Sequence, residues 1–411
     1  MRSVADADFV RRQNRGLVLS ALRRNGPLSR TQLAMSTGLS AASLTAIGGE
    51  LIAQGILAEG DQLAPAGARG RPAVEVRFRR HAGHAIIVEL DVTRTRCSLI
   101  DYAGTLVDRT ETPITPELFA GVTPQAFLAE RVRQMQERNP DESVTLRSIS
   151  VSVQGILDRA ADGLKWSPIA HVAGQSIVTP LRETFRVPVT LQKRGGLLAE
   201  GARLLYPEFA DQPLAAIFIG STVGMGLSLP GRTSGGQDSG ATEFGHMNHL
   251  PDGARCRCGQ KGCIEAYAAD YGVLRTAYGV PDQVQPASTV PPAAYHELVH
   301  LAQTGRRNAI HAFNVAGRAI GFGLARLMTI AAPVHVVITG PGANGFELMR
   351  SEIDAALRDS LVCRINGAPS ITVQHDEREP IFQGMLMGAL TALDEMFSAT
   401  PSAELRASGA R

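Results

Sequence analysis

The chain has 411 residues, of which 44% are hydrophobic and 19% charged, with a net charge of +2. That length argues for two or three domains with enough apolar content to bury their cores. No apolar run reaches eighteen residues and no charged-then-apolar leader opens the chain, so a membrane span and a secretory signal are not expected. Five cysteines, an odd number, do not form a disulfide framework, and the expected compartment is a reducing cytoplasm.

Charge is unevenly spread. Residues 1–80 hold twelve Arg, no Lys and six acidic residues, about +6, which leaves about −4 for the rest. A basic module on a mildly acidic body points to nucleic acid at one end. Its pattern agrees. In "NRGLVLSALRRNGPLSR" the spacing places Leu17, Val18, Ala21 and Leu22 on one helical face that stops at Asn25-Gly26-Pro27. Ser29 is expected to cap a short helix through Thr37, with Leu33 and Ala34 inward. Gly38 supplies a tight turn, and Ser40 caps a third helix carrying Leu44, Ile47, Leu51 and Ile52.

Three short helices joined in this way describe a helix-turn-helix, and "GILAEGDQLAPAGARGRPAVEVRFR" reads as a two-stranded wing. The third helix would enter a major groove by its N-terminal end, bringing Ala41, Ala42, Ser43 and Thr45 to the bases. Small side chains there favour thymine-methyl contact and DNA shape over bidentate reading. Arg11, Arg12, Arg15 and Arg30 are candidates for phosphate contacts, and Arg69 and Arg71 form a basic tip suited to a minor groove. The expected partner is a double-stranded DNA operator, bound by a homodimer or higher homo-oligomer.

Beyond residue 82 the texture changes to α/β. "HAIIVELDVTRTRCSLIDYAGTLVDR" predicts two strands with a turn at Tyr102-Ala103-Gly104. "VTLRSISVSVQGILD", "LAAIFIGSTVGMGLSLPG" and "VHVVITGPGANG" each pair an apolar strand with a Gly loop, and helices are expected over 308–331 and 381–397. The last residues, 399–411, are small and polar and are expected to be disordered.

The densest chemistry lies in "EFGHMNHLPDGARCRCGQKGCIEAY", Glu243 to Tyr267. Three thiolates and one imidazole complete a tetrahedral zinc shell and leave no position for water, so the metal is structural. Cys256, Cys258 and Cys263 supply sulfur, and either His246 or His249 could supply nitrogen. Cys97 and Cys363 are assigned to the core.

The segment 241–268 resembles the signature of the ROK family, bacterial sugar kinases and sugar-responsive repressors: Glu-x-Gly-His, an insertion, then Cys-x-Cys-Gly-x-x-Gly-Cys-x-Glu. Glu243, Gly245, His246, Cys256, Cys258, Gly259, Gly262, Cys263 and Glu265 carry it, and "LSRTQLAMSTGLS" and "RGRP" match the repressor branch. The resemblance selects His246 as the zinc nitrogen. It implies a winged helix-turn-helix over 1–80 and a two-lobed, actin-like and sugar-kinase-like body over 82–398. The smaller lobe would comprise about 82–195 plus the helix 381–397, and the larger lobe about 196–380. It also implies a small carbohydrate effector, with Glu243, His246, Glu265 and Gly155 facing its hydroxyls.

Three departures from the family's kinases set expectations about chemistry. Asp91 is followed by Val92-Thr93-Arg94-Thr95 where kinases carry close-approach glycines, and "GSTVGMG" keeps Gly224 and Gly226 out of step. Counting back from Glu200 places Gln192 at the catalytic Asp and Leu191 at its Asn neighbour. An amide cannot accept a hydroxyl proton, so the chain is expected to be a repressor of carbohydrate-utilisation genes and not an enzyme. The competing reading is an ATP-dependent hexose kinase with an appended DNA-binding module. Lys193 and Arg194 suggest a shift of the pocket toward acidic or phosphorylated sugars.

Overall fold

The computed structural model describes the chain apart from residues 1, 64–72, 116, 210, 231–240, 332–333 and 400–411. Arg69 and Arg71, and nearly all of the tail expected to be disordered, therefore lie outside the described residues.

Local chemistry accounts for the N-terminal elements. The helix Arg2–Asn25 is followed by Arg30–Thr37, which opens on a full capping box: the Ser29 side chain accepts from Gln32 N, and Gln32 reaches back to Ser29 N. It ends at Gly38, φ +71°, a left-handed position suited to glycine. Ser40 caps the third helix, Ala41–Ala53, by accepting from Ser43 N at 3.1 Å. Leu28–Ser29, Ala73–Phe78 and Leu57–Leu63 then form a three-stranded antiparallel sheet in that spatial order.

One face of the first helix differs from expectation. Leu17 is 39% exposed, whereas Arg15, Val18, Leu19 and Leu22 form the buried stripe, at the i, i+3, i+4, i+7 spacing of a helix seated on a core. Arg15 is thus drawn inside. It is 3% exposed and donates to the Phe397 carbonyl and to Gln54 Oε1, each at 2.7 Å. A guanidinium so enclosed cannot reach a phosphate, which removes Arg15 from the expected DNA contacts.

Two five-stranded sheets follow. The first runs in the order Val189–Lys193, Leu146–Val153, His84–Leu90, Arg94–Asp101, Leu106–Pro113. Sequence predicted two strands between residues 84 and 113, but there are three. Asp91 N donates to Arg94 O, closing a tight turn through Val92 and Thr93. Those β-branched residues carry no Gly or Asn turn signal, so the break was invisible locally. The second sheet runs in the order Ala241–Thr242, Val223–Ser228, Leu214–Ile219, His335–Thr339, Ile371–Gln374, with its last three strands parallel. The helix Arg307–Ala331 shares one hydrophobic core with it, and Gly317 and Gly321 let the helix Phe346–Asp359 approach backbone to backbone.

The chain divides into two compact units. One holds the residues through Val151, Gln175–Leu191 and everything from Leu386; the other holds Ser152–Gly174 and Gln192–Met385. In the first unit the winged module is tied into a buried node. Arg23 donates twice to the Asp394 carboxylate, at 2.8 and 3.2 Å, and once to the Tyr102 carbonyl; the Tyr102 hydroxyl donates to Asp394 at 2.6 Å. The Tyr102 ring meets Phe78 and Phe397 edge-on, and the Arg23 guanidinium lies 3.8 Å from the Phe78 ring centre.

Truncating one partner of a buried pair leaves the other charge without compensation. Asp394→Ala is expected to cost about 3–5 kcal/mol in urea unfolding. Tyr102→Phe, which removes one hydrogen bond and keeps the ring, should cost only about 1 kcal/mol. Equal and small losses in both variants would show that the node does not hold the module.

Candidate functional site: a four-donor cluster beside a pocket

Residues 243–268 contain little regular structure, yet the backbone is closely specified. A 3-10 turn, Phe244–His246, leads to a loop whose strands touch through bridges Asn248↔Cys263 and Arg255↔Lys261. Gly259, φ +92°, turns the chain so that Cys256 N meets Gln260 O, and Gly262, φ +77°, passes against Leu250 where a Cβ would overlap its carbonyl. Phe244, at 1% exposure, anchors the segment.

This folding brings His246, Cys256, Cys258 and Cys263 together, with all four donor atoms within 4.8 Å of one another. Cys256 Sγ lies 3.8 Å from His246 Nδ1, and Cys258 Sγ lies 3.8 Å from Cys263 Sγ. Sulfurs bound at about 2.3 Å around a tetrahedral zinc would stand about 3.8 Å apart. The donor set and its spacing therefore fit a metal ion. His249 is elsewhere, ring against Tyr267 and Phe322. Cys97 and Cys363 are buried outside the cluster. Hydrogen bonding from Cys263, reinforced by His246, lowers the Cys256 thiol from its ordinary value.

A pocket opens beside the cluster, lined by Gln154, Gly155, Trp166, Lys193, Arg194, Glu243, His246 and Glu265 among others. It contains all four residues expected to face a sugar, but their surroundings differ. Glu243 is 46% exposed and paired with Lys193 Nζ at 2.9 Å. Glu265 is 1% exposed, and its oxygens are engaged by the protein: Val223 N donates to Oε2 at 3.1 Å, and the Tyr271 hydroxyl lies 3.3 Å from Oε1. Burial, with the neighbouring Cys256 thiolate, pushes its carboxyl up to about 8. Glu265 thus braces the strand Val223–Ser228 from the pocket floor. Gly155 has φ +142°, and a Cβ there would overlap the Trp166 carbonyl, so its lack of a side chain positions the Leu164–Trp166 strand.

Trp166, edge-on to His246 at 5.4 Å, went unnoticed in the sequence although it is the only tryptophan. Gln154 was missed too, since it stands just past a strand, Leu146–Val153, in which serines already alternate with apolar residues.

At the positions of kinase chemistry, Gln192 is half-buried and Leu191 is 4% exposed. The loop Gly220–Thr222 is covered by Arg257, which donates to Ser221 O at 2.6 Å and to Ala287 O at 2.8 Å.

On the winged module, Ala41, Ala42 and Thr45 are exposed and Ser43 is half-buried. The Thr45 hydroxyl donates back to Ala41 O, and the Ser43 hydroxyl lies 2.9 Å from Ser40 Oγ. Arg12 is exposed, Arg11 is paired with Glu50, and Arg30 with Glu59 at 3.0 Å.

Comparison with known proteins places these features in one group. The model of the ROK family matches residues 85–390. The chain is 26% identical over 382 residues to the DNA-binding transcriptional dual regulator NagC of Escherichia coli K12, covering 92% of this chain and 93% of the relative. It is 22% identical over 365 residues to the xylose repressor of Bacillus subtilis strain 168, covering 87% and 91%. A crystal structure of a ROK family transcriptional regulator, homolog of the E. coli MLC protein, superposes with a TM-score of 0.74 at 19% identity over 95% of this chain and 99% of that one. No helix among the described residues is long and apolar enough to cross a membrane. With three-quarters of its length matched by the family model and its donor cluster formed by the residues of the signature segment, this chain belongs to the ROK family.

Proposed function

We propose that this protein is a cytoplasmic, sequence-specific DNA-binding repressor of carbohydrate-utilisation genes, released from its operator by a small sugar. The observation that carries the reading is the exposed N-terminal turn of the helix Ala41–Ala53, presented by two capped helices and the Gly38 turn. The relatives named above, a transcriptional dual regulator and a xylose repressor, support the same class. The pocket between Glu243, Lys193 and Trp166 is the effector site, and the protein binds paired half-sites as a homodimer or higher homo-oligomer.

The test is an operator titration by the full chain at rising salt, with and without sugar. Each phosphate neutralised releases counterions, so four such contacts predict roughly a hundredfold loss of affinity between 50 and 200 mM salt. An affinity insensitive to salt would remove the DNA reading.

The four-donor cluster holds a structural zinc. A closed shell of one imidazole and three thiolates supplies folding energy and no reactive position. Purified protein is expected to carry about one zinc per chain, and Cys258→Ser to lower both zinc content and melting temperature. Zinc-free protein that melts unchanged would sink this assignment.

Phosphoryl transfer is not part of the function. Gln192 offers no base, and the Asp91–Arg94 turn offers no glycine at which a phosphate could approach the backbone. Coupled assays of ATP consumption with a hexose panel should stay at background, and Gln192→Asp alone should not change that. Turnover by the unaltered protein would favour the kinase reading.

A further inference from the structure

Within the pocket, three side chains that the family signature does not include stand in an arrangement that selects a ligand. Gln154 lines the cavity, is 8% exposed, and its Oε1 has no hydrogen-bond partner among the described groups. An acceptor left unsatisfied at that depth is costly, and a ligand hydroxyl would satisfy it. Trp166 presents an indole to the same cavity, a surface on which the C–H face of a sugar ring can lie.

Lys193 brings a compact positive charge with three donors, one of them given to Glu243 at 2.9 Å. Two cations line the cavity: Arg194 pairs with Glu377 at 3.8 Å, and Lys193 with Glu243. Glu265 spends its oxygens on Val223 and Tyr271, which leaves Glu243, among the described residues, as the carboxylate there able to turn toward a ligand. A neutral polyol would have to compete with Glu243 for Lys193. An anionic group would replace that countercharge and free the half-exposed Glu243 to accept from ring hydroxyls.

We infer that the effector is a pyranose carrying an anionic group, carboxylate or phosphate, held by Lys193 at the anion, Gln154 at a ring hydroxyl and Trp166 under the ring. This rests on the reading of the pocket as a sugar effector site and names the class of sugar it takes.

The test is calorimetry on the zinc-loaded full chain, with intrinsic fluorescence as a second readout, since Trp166 is the chain's only tryptophan. Glucuronate and glucose 6-phosphate form the anionic arm and separate carboxylate from phosphate. Glucose, xylose and N-acetylglucosamine form the neutral arm. At least one anionic sugar should bind ten- to a hundredfold more tightly than glucose, the range expected of a charge-assisted contact, and should alter Trp166 emission. Lys193→Met should abolish that preference while leaving the melting temperature of the ligand-free chain within a few degrees. Gln154→Met should weaken binding about tenfold without lowering stability, because it removes an unsatisfied acceptor; a residue of purely structural importance would lose both together.

Neutral sugars that bind as tightly as their anionic counterparts, or a Lys193→Met chain that keeps the preference, would overturn the inference while leaving the effector site standing. If neither arm binds the unaltered chain, the effector reading itself falls and this inference falls with it.

Discussion

Three thiols and an imidazole gathered within 4.8 Å of one another are the constraint on which the rest of the pocket depends. The segment from Glu243 to Cys263 has only a short 3-10 turn and two isolated bridges of its own, too little to fix a loop of that length against its conformational entropy. Drawing His246 toward Cys256, Cys258 and Cys263 closes it at both ends. Because Glu265 follows two residues after the last cysteine and bonds Val223, the same closure sets the first residue of a strand in the second sheet. Phe244 and Ile264 complete the attachment by packing where Gly323 leaves room on the helix Arg307–Ala331. A wall of the pocket is thereby built from a loop and behaves as part of the core.

The N-terminal module obeys a different economy. Its excess of arginine suggests a broad cationic surface, but the fold diverts part of it inward. Arg15 and Arg23 are enclosed by carbonyls, Gln54 and Asp394, and Arg11 and Arg30 face Glu50 and Glu59. The charge left for phosphates is smaller than the composition implies. What these arginines supply instead is attachment: Arg15 and Arg23 join the first helix to the helix Arg378–Ala399, Arg11 joins it to Glu50, and Arg30 joins the second helix to Glu59. Within one unit Gly384 lies against Leu197; within the other, Asp394 and Phe397 hold Arg23 and Arg15.

The winged module was legible because its determinants are local. A cap is decided by a serine and the two or three amides after it, and a left-handed turn by one glycine. Ser29, Gly38 and Ser40 did what their spacing predicts. The cluster was legible for a related reason, since its four donors fall within eighteen residues and their chemistry admits few alternatives. The extra strand at Arg94 was not, because a two-residue turn made of Val92 and Thr93 has no compositional mark.

Sequence by itself therefore determined the classes of element, the helix caps and, once the family resemblance had chosen between two histidines, the four donors that the fold brings together. Tertiary structure alone decided which polar side chains are free to act. Arg15 is structural because Phe397, 382 residues away, offers it a carbonyl. Glu265 is a brace because Val223 and Tyr271 claim its oxygens. Lys193 and Glu243, fifty positions apart, become partners across a pocket. A side chain's role follows from what satisfies its charge and hydrogen bonds, and those partners come from elements whose approach no local pattern encodes.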